Sequence, residues 1–245
     1  MTPRTALVFA AGLGTRLRPL TDKMPKALVP VAGKPLLGHV LDRLAGAGFT
    51  DIVVNVHHFP DQIIDYLQTR EQPGIRIRVS DERDLLRDTG GGVKYAHKLL
   101  GDSPFLIHNT DILSNLDLRS IPLREEALAT LVVSPRESSR YLLFDDGMRL
   151  VGWTHTLTGE VRSPYPGLDP ARCRKLAFSG IHLQNPGVFD AFDALGFGDV
   201  FPIMDFYLKA CRDYPIYGFV PDALRLLDVG KLSTLDQAER FLQEI

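Results

Sequence analysis

The 245-residue sequence is poor in cysteine, in surplus charge and in long apolar runs, and each shortage narrows what the chain can be. Its two cysteines, Cys173 and Cys211, cannot build a disulfide scaffold. Neither stands in a CxxC or Cys/His cluster of the kind that holds structural zinc, so both read as reduced thiols. The 28 Lys and Arg nearly cancel the 30 Asp and Glu, leaving a formal net charge of −2. Nothing global therefore points to nucleic acid, whose binders carry a basic surplus. The opening Met1-Thr2-Pro3-Arg4-Thr5 enters an apolar run that a Gly-x-Gly turn soon interrupts. That run is too short for an export signal or a membrane span, so a cytoplasmic protein with no membrane partner is expected. No repeat, low-complexity tract or Ser/Gly linker divides the chain, and one compact unit is the simplest organisation.

Hydrophobic residues make up 44% and charged residues 24%, enough to bury a sizeable core at this length. In the first third, short apolar runs alternate with amphipathic stretches, the pattern of βαβ units. Strands are predicted at Ala6 to Ala11, Asp51 to Val56, Ile75 to Val79 and Pro104 to His108. Helices are predicted at Leu36 to Ala47, closed by Gly48, at Pro60 to Leu67 and at Gly91 to Leu100. Beyond Asp111 the pattern changes. A strand at Ala129 to Ser134 is followed by a hairpin, Tyr141 to Trp153, turning at Asp145-Asp146-Gly147. A proline- and charge-rich loop spans Arg162 to Arg174; a strand follows at Phe178 to Leu183, a helix at Pro202 to Arg212 and a strand at Ile216 to Val220. The last helix runs from about Ser233 to Gln243, with Ser233 and Asp236 suited to its amino-terminal turn.

Chemistry gathers in three places. After the first strand comes Ala10-Ala11-Gly12-Leu13-Gly14-Thr15-Arg16, small residues and glycines that let backbone N–H groups approach phosphate oxygens. A lone GxG is also what any tight strand-to-loop turn uses. It is neither a dinucleotide fingerprint, which needs glycine at Leu17, nor a P-loop. Arg16, Arg18 and Lys26 follow it; a guanidinium pairs bidentately with polyphosphate and a lysine supplies a movable point charge, although Arg18 also suits plain solvent exposure. Second, the apolar PFLIH run ends in Asn109-Thr110-Asp111, which sets Asp111 at the carboxyl edge of a parallel sheet, where α/β proteins bind ligands. Asp228 ends another apolar run; each aspartate on its own equally suits a turn. Third, Asp88-Thr89-Gly90-Gly91-Gly92 opens a helix with three glycines, for which close approach of a ligand to backbone is a reason. Glu82 could reach a base or sugar, while His57 and His58 fit core or loop positions.

The segment from Leu7 to Leu36, with AAGLGTRLRPLT followed by PKALVPVAGKPL, resembles the signature of the sugar-1-phosphate nucleotidyltransferases, the nucleoside-diphosphate-sugar pyrophosphorylases. Ala27 stands where that family usually has proline. The DTGGG segment is similar to the ETGGG of a branch that includes N-acetylmuramate-1-phosphate uridylyltransferases and lies near the mannose-1-phosphate guanylyltransferases, with Asp88 replacing the glutamate. The resemblance implies an α/β, Rossmann-like three-layer α/β/α fold with a mixed, mostly parallel central sheet. It implies a single domain, a nucleotide-binding half over about 1–115 and a sugar-binding half over 116–245, with no room for an acyltransferase β-helix.

The implied reaction joins a sugar 1-phosphate to an NTP with release of pyrophosphate, assisted by Mg²⁺ on Asp111 and Asp228. Ala10, Ala11, Gly12, Leu13, Gly14, Thr15, Thr89, Gly90 and Gly91 would bind nucleotide, Arg16 the leaving phosphates and Lys26 the α-phosphate. Asn109, Ser179 and Gly180 would face the sugar. Thr110 and Lys231 replace a glycine and a threonine of the family pattern, and the hairpin Val151-Gly152-Trp153-Thr154 lacks the lysine that many relatives use on the sugar phosphate. Arg162, Arg174 or Lys175 could take its place. That gap leaves open a non-sugar acceptor such as phosphocholine; a catalytically silent nucleotide-binding subunit is the competing reading outside catalysis.

Overall fold

A computed structural model describes residues 3–70 and 73–245. Met1 and Thr2, which open the expected cytoplasmic start, lie outside the described residues. Strand β1 (Thr5–Phe9) leads through the glycine loop and three short 3-10 turns to β2 (Pro30–Val31), β3 (Lys34–Pro35) and α1 (Leu36–Gly46). Then come β4 (Asp51–Val56), α2 (Pro60–Thr69), β5 (Arg76–Asp81), α3 (Asp88–Tyr95), α4 (His97–Leu100) and β6 (Phe105–Asn109). The remainder is β7 (Ile112–Ser114), β8 (Ala129–Ser134), β9 (Arg140–Phe144), β10 (Leu150–His155), β11 (Glu160–Arg162) and β12 (Arg174–Gln184). It continues with α5 (Val188–Ala194), α6 (Ile203–Ala210), β13 (Ile216–Phe219), β14 (Leu226–Asp228) and α7 (Leu232–Gln243).

One ten-stranded sheet runs β11-β10-β9-β12-β6-β1-β4-β5, with β8 beside β12 and β13 beside β8. β6, β1, β4 and β5 are parallel, and β12 joins them antiparallel through Ile181 opposite His108. Side chains alternate across β1: Leu7 enters one core with Val93, Phe192 and Phe206, while Ala6 and Val8 enter another with Leu41, Leu44 and Ile63. Helices α3 to α6 thus cover one face and α1 and α2 the other, which is why the central strands read as nearly unbroken apolar runs. α1 ends where Gly48, at φ +89°, lets Phe49 N–H reach back to the Leu44 carbonyl at 3.0 Å. No helix of the described residues is long and apolar enough to cross a membrane.

Several boundaries differ from the sequence-based expectation. The helix predicted at Gly91 to Leu100 begins at Asp88 and breaks at Ala96 into α3 and α4. The final helix starts one residue earlier than predicted; Lys231 is its cap, and the Thr234 hydroxyl rather than Ser233 closes the first turn onto the Lys231 carbonyl at 2.8 Å. Strands β7 and β14, too short for any periodicity to register, and helix α5 were not predicted.

Two histidines buried in the sheet give the fold a pH signature. Burial pushes His108 down to about 4, and its Nε2 has no partner among the described residues. Burial also pushes His182 down to about 3; its Nδ1 accepts from the Tyr207 hydroxyl at 2.6 Å, since that hydroxyl already accepts from Gln184 Nε2. Both are neutral when folded and protonate near 6.5 when unfolded, so stability falls as pH drops from about 6.5 toward 4. The pair contributes a slope of about 2.7 kcal/mol per pH unit, which Glu82, its carboxyl raised first by burial, partly offsets by gaining a proton in the fold. In denaturant titrations from pH 6 to 4.5, His182→Gln should flatten the wild-type slope by about 1.4 kcal/mol per pH unit; parallel slopes would refute the assignment.

Candidate active site

A cleft of about 470 Å³ opens at the carboxyl edge of β1, β4 and β6. Its lining includes Ala10, Ala11 and Gly12 from the loop after β1, Lys26, Asp88 and Thr89 at the start of α3, Asn109 at the end of β6, and Thr110 and Asp111 after it. Phe9, Ala27, Asn55, Leu86 and Val200 complete the walls.

Four charged residues meet beside the cleft because a small third core collects their neighbours. Leu17, Val29, Leu113 and Val229 pack together with Ala238 of α7, and these anchors follow Arg16, Lys26, Asp111 and Asp228 within three positions. Strands β7 and β14 pair antiparallel, with Asp228 opposite Ile112, and Val229 N–H donates to the Asp111 carbonyl at 2.8 Å. That pairing brings the two aspartates, from distant parts of the chain, to neighbouring positions along one backbone ribbon. Lys26 Nζ forms an ion pair with Asp111 Oδ2, both side chains mostly buried. Asp228 Oδ1 accepts from Gly230 N–H at 2.8 Å, and a Cβ on Gly230 would stand 2.7 Å from Arg16 Nη2, so the guanidinium lies against that turn.

The glycine loop divides in two. Ala10, Ala11 and Gly12 line the cleft, whereas Leu13, Thr15 and Arg16 are exposed outside that lining. Gly14 adopts φ +64°, and a Cβ there would stand 2.8 Å from Thr21 and 2.9 Å from Lys26, so glycine seats the loop directly on the lysine.

Other expected site residues are placed differently from the sequence reading. A Cβ on Gly90 would enter the Phe201 ring, and one on Gly91 would enter the Asp199 carbonyl. The N–H groups of both glycines donate to the Phe201 carbonyl at 2.9 and 3.2 Å. These glycines make room for the protein's own 199–201 segment, not for a ligand. Thr89 lines the cleft, but its hydroxyl accepts from Ile203 N–H at 2.9 Å. Ser179 is buried and its hydroxyl donates to the Val132 carbonyl at 2.5 Å, so it does not present a donor to a sugar. Gly180, at φ +73°, would place a Cβ 2.8 Å from Asn109 Nδ2; its role is to let the cleft residue Asn109 lie flat against β12.

The Thr110 hydroxyl is spent on the Phe9 carbonyl at 2.8 Å. Glu82, expected within reach of a base or sugar, is fully buried and is not part of the cleft lining. His57 Nδ1 donates to the Glu82 carbonyl at 2.7 Å, and His58 Nε2 lies 3.3 Å from the Thr21 carbonyl, so both histidines brace loops. Arg162 pairs with Asp205 at 2.7 Å, while Arg174 and Lys175 open β12 exposed.

Sequence reasoning missed Asn55, Leu86 and Val200. Asn55 had a signal, an amide inside the apolar run DIVVNV; Val200 had none, because it reaches the cleft from the far side of the chain.

Among the described residues no group of three or more His, Cys, Asp or Glu could hold a metal. Two carboxylates with the remaining positions open to water and phosphate oxygens form the donor set that Mg²⁺ uses, and Asp111 with Asp228 fits it.

The family profile described as "Nucleotidyl transferase" matches residues 5–139. The chain is 36% identical to the N-acetylmuramate alpha-1-phosphate uridylyltransferase of Caulobacter vibrioides, over 99% of this chain and 98% of that protein. It is 34% identical to the enzyme of the same name from Neisseria meningitidis, over 96% of each. Among solved structures, the inositol-1-phosphate CTP transferase from T. maritima superposes with a TM-score of 0.80 at 15% identity, covering 100% of this chain and 96% of that one. HddC from Yersinia pseudotuberculosis, complexed with GMP-PN, gives 0.76 at 20% identity, covering 99% and 100%. At these identities the structures establish the shared fold.

Proposed function

The chain belongs to the nucleotidyl transferase family, and from that premise we propose that it joins a sugar 1-phosphate to a nucleoside triphosphate, releasing pyrophosphate. The sugar phosphate favoured by the two relatives matched over nearly their whole length is N-acetylmuramate 1-phosphate, and the nucleotide is UTP. The observation that carries the reading is the convergence of Arg16, Lys26, Asp111 and Asp228 at the mouth of a cleft walled by a glycine loop.

Nucleotidyl transfer asks little covalent work of a protein: it must align two phosphates and absorb the charge that develops between them. In our reading, Gly12 and the loop beyond it cradle the triphosphate, and Leu86 and Val200 give apolar walls to the base or ribose. Lys26 directs its ammonium at the α-phosphate, and Arg16 offers a fork to the departing pyrophosphate. Asp111 and Asp228 hold Mg²⁺, which when bound neutralises phosphate charge. The attacking phosphate oxygen is already anionic, so no general base is assigned. Residues 1–115 supply the nucleotide half and 116–245 the acceptor half. With Arg162 engaged by Asp205, Arg174 and Lys175 are the cations left to meet the acceptor phosphate.

Pyrophosphate release, measured with UTP, GTP, CTP and dTTP against a panel of sugar 1-phosphates, should be greatest with UTP and N-acetylmuramate 1-phosphate and vanish with EDTA. A silent protein across the whole panel would overturn the proposal; turnover only with phosphocholine would replace the acceptor.

A further inference from the structure

We propose that Asn55 and Glu82 are a positioning pair that sets the backbone of the nucleotide loop, an inference that rests on the nucleotidyl-transfer reading above. Pairing of β1 with β4 ends at Phe9 opposite Asn55. Beyond it, the N–H groups of Ala10 and Ala11 have no strand to meet, and both donate to Asn55 Oδ1, at 2.8 and 3.3 Å. The side chain thereby continues the sheet for two residues. Those two N–H groups are spent, so the first loop amide left to face a ligand is that of Gly12.

Two N–H donors require oxygen on the near side of the Asn55 amide, which turns Nδ2 away into a buried space. A buried amide nitrogen needs an acceptor, and Glu82 Oε1 stands 2.8 Å from it. Glu82 is fixed in turn: its N–H donates to the Val56 carbonyl at 2.8 Å and its carbonyl accepts from His57. The pair also carries the opposite wall of the cleft. A Cβ on Gly92 would stand 3.0 Å from both Asn55 Nδ2 and Glu82 Oε1, so α3, whose first residues Asp88 and Thr89 line the cleft, rests directly on the two side chains. One hydrogen bond therefore fixes the spacing between the loop and the start of α3. A carboxylate and an amide do this where two apolar residues could not, because the two loop N–H groups need a buried oxygen acceptor held in place by a partner.

The test compares Asn55→Asp, Asn55→Asp/Glu82→Gln and wild type by pyrophosphate release, with thermal unfolding of each. Asn55→Asp sets two carboxylates face to face, and KM for the triphosphate should rise at least about tenfold with a much smaller change in kcat. In the double variant the amide introduced just after β5 donates to the carboxylate introduced on β4, so the pair re-forms with reversed polarity. KM should then fall at least about fivefold from the single variant. A wild-type KM in Asn55→Asp, or no recovery in a folded double variant, would overturn the inference. Should Asn55→Asp fail to fold, Glu82→Ala should show a KM about tenfold above that of Glu82→Gln, and equal values would overturn it instead. Wild-type protein silent with every triphosphate and sugar 1-phosphate would sink the parent reading, whereas active wild type with indifferent variants sinks only this pair.

Discussion

The Lys26→Ala variant is expected to lose on the order of 10²–10³ in kcat for pyrophosphate release while melting as a cooperative, folded protein. Lys26 sits in a 3-10 turn between Pro25 and Val29, and the turn is held by Val29 in the third core, not by the lysine itself. Its ammonium meets Asp111 and projects into the cleft. Removing it leaves the backbone, the core and the loop seat on Gly14 in place, but strips the positive charge from the point where, in the proposed reaction, negative charge gathers. The loss should fall mainly on kcat, because a charge used on the reacting phosphate acts more strongly in the transition state than on bound substrate. Lys26→Arg should recover little, since a planar fork cannot place its charge where a compact ammonium stands. Steady-state kinetics alongside a melting curve decide the matter: folded Lys26→Ala with activity within tenfold of wild type would remove Lys26 from the chemistry.

The second large effect is structural. Gly91→Ala should lower unfolding free energy by about 2–3 kcal/mol, because the added methyl enters the Asp199 backbone, which cannot swing away as a side-chain tip can. Gly90→Ala should act similarly against the Phe201 ring and carbonyl, the carbonyl standing 2.9 Å from the new methyl. Gly198→Ala, where a Cβ meets nothing within 4 Å, is the internal control and should change stability by less than about 0.5 kcal/mol. Urea titrations separate this account from the ligand-approach explanation that the sequence suggests. If the glycines served a bound nucleotide, stability would stay level and only KM would move.

Those glycines show where sequence reading stops. Glycine reports that something comes close, but a local pattern does not say what, and here it is a segment about a hundred residues further along the chain. The central strands and the α1, α2 and α6 helices were legible because burial on one or both faces leaves a period that a short window captures. Asp111 and Asp228 each follow an apolar run, a position that suits a turn as well as a site, and only the resemblance to the family motif joined them into one pair. Ser179 misled, since a hydroxyl in a buried strand can satisfy itself on a neighbouring carbonyl, and only the register of β12 against β8 reveals that it does. Strands β7 and β14 escaped notice although they assemble the site, because three residues carry no periodicity and their partnership is entirely long-range.

That ribbon has a consequence for how the protein is made. Lys26, the glycine loop and Asp111 all leave the ribosome well before Asp228, and the cleft itself waits for Val200, which forms part of its wall. The second carboxylate joins only when β14 emerges and docks beside β7. Under the proposed function, a half-made chain therefore carries the first part of the site without the second carboxylate that transfer calls for.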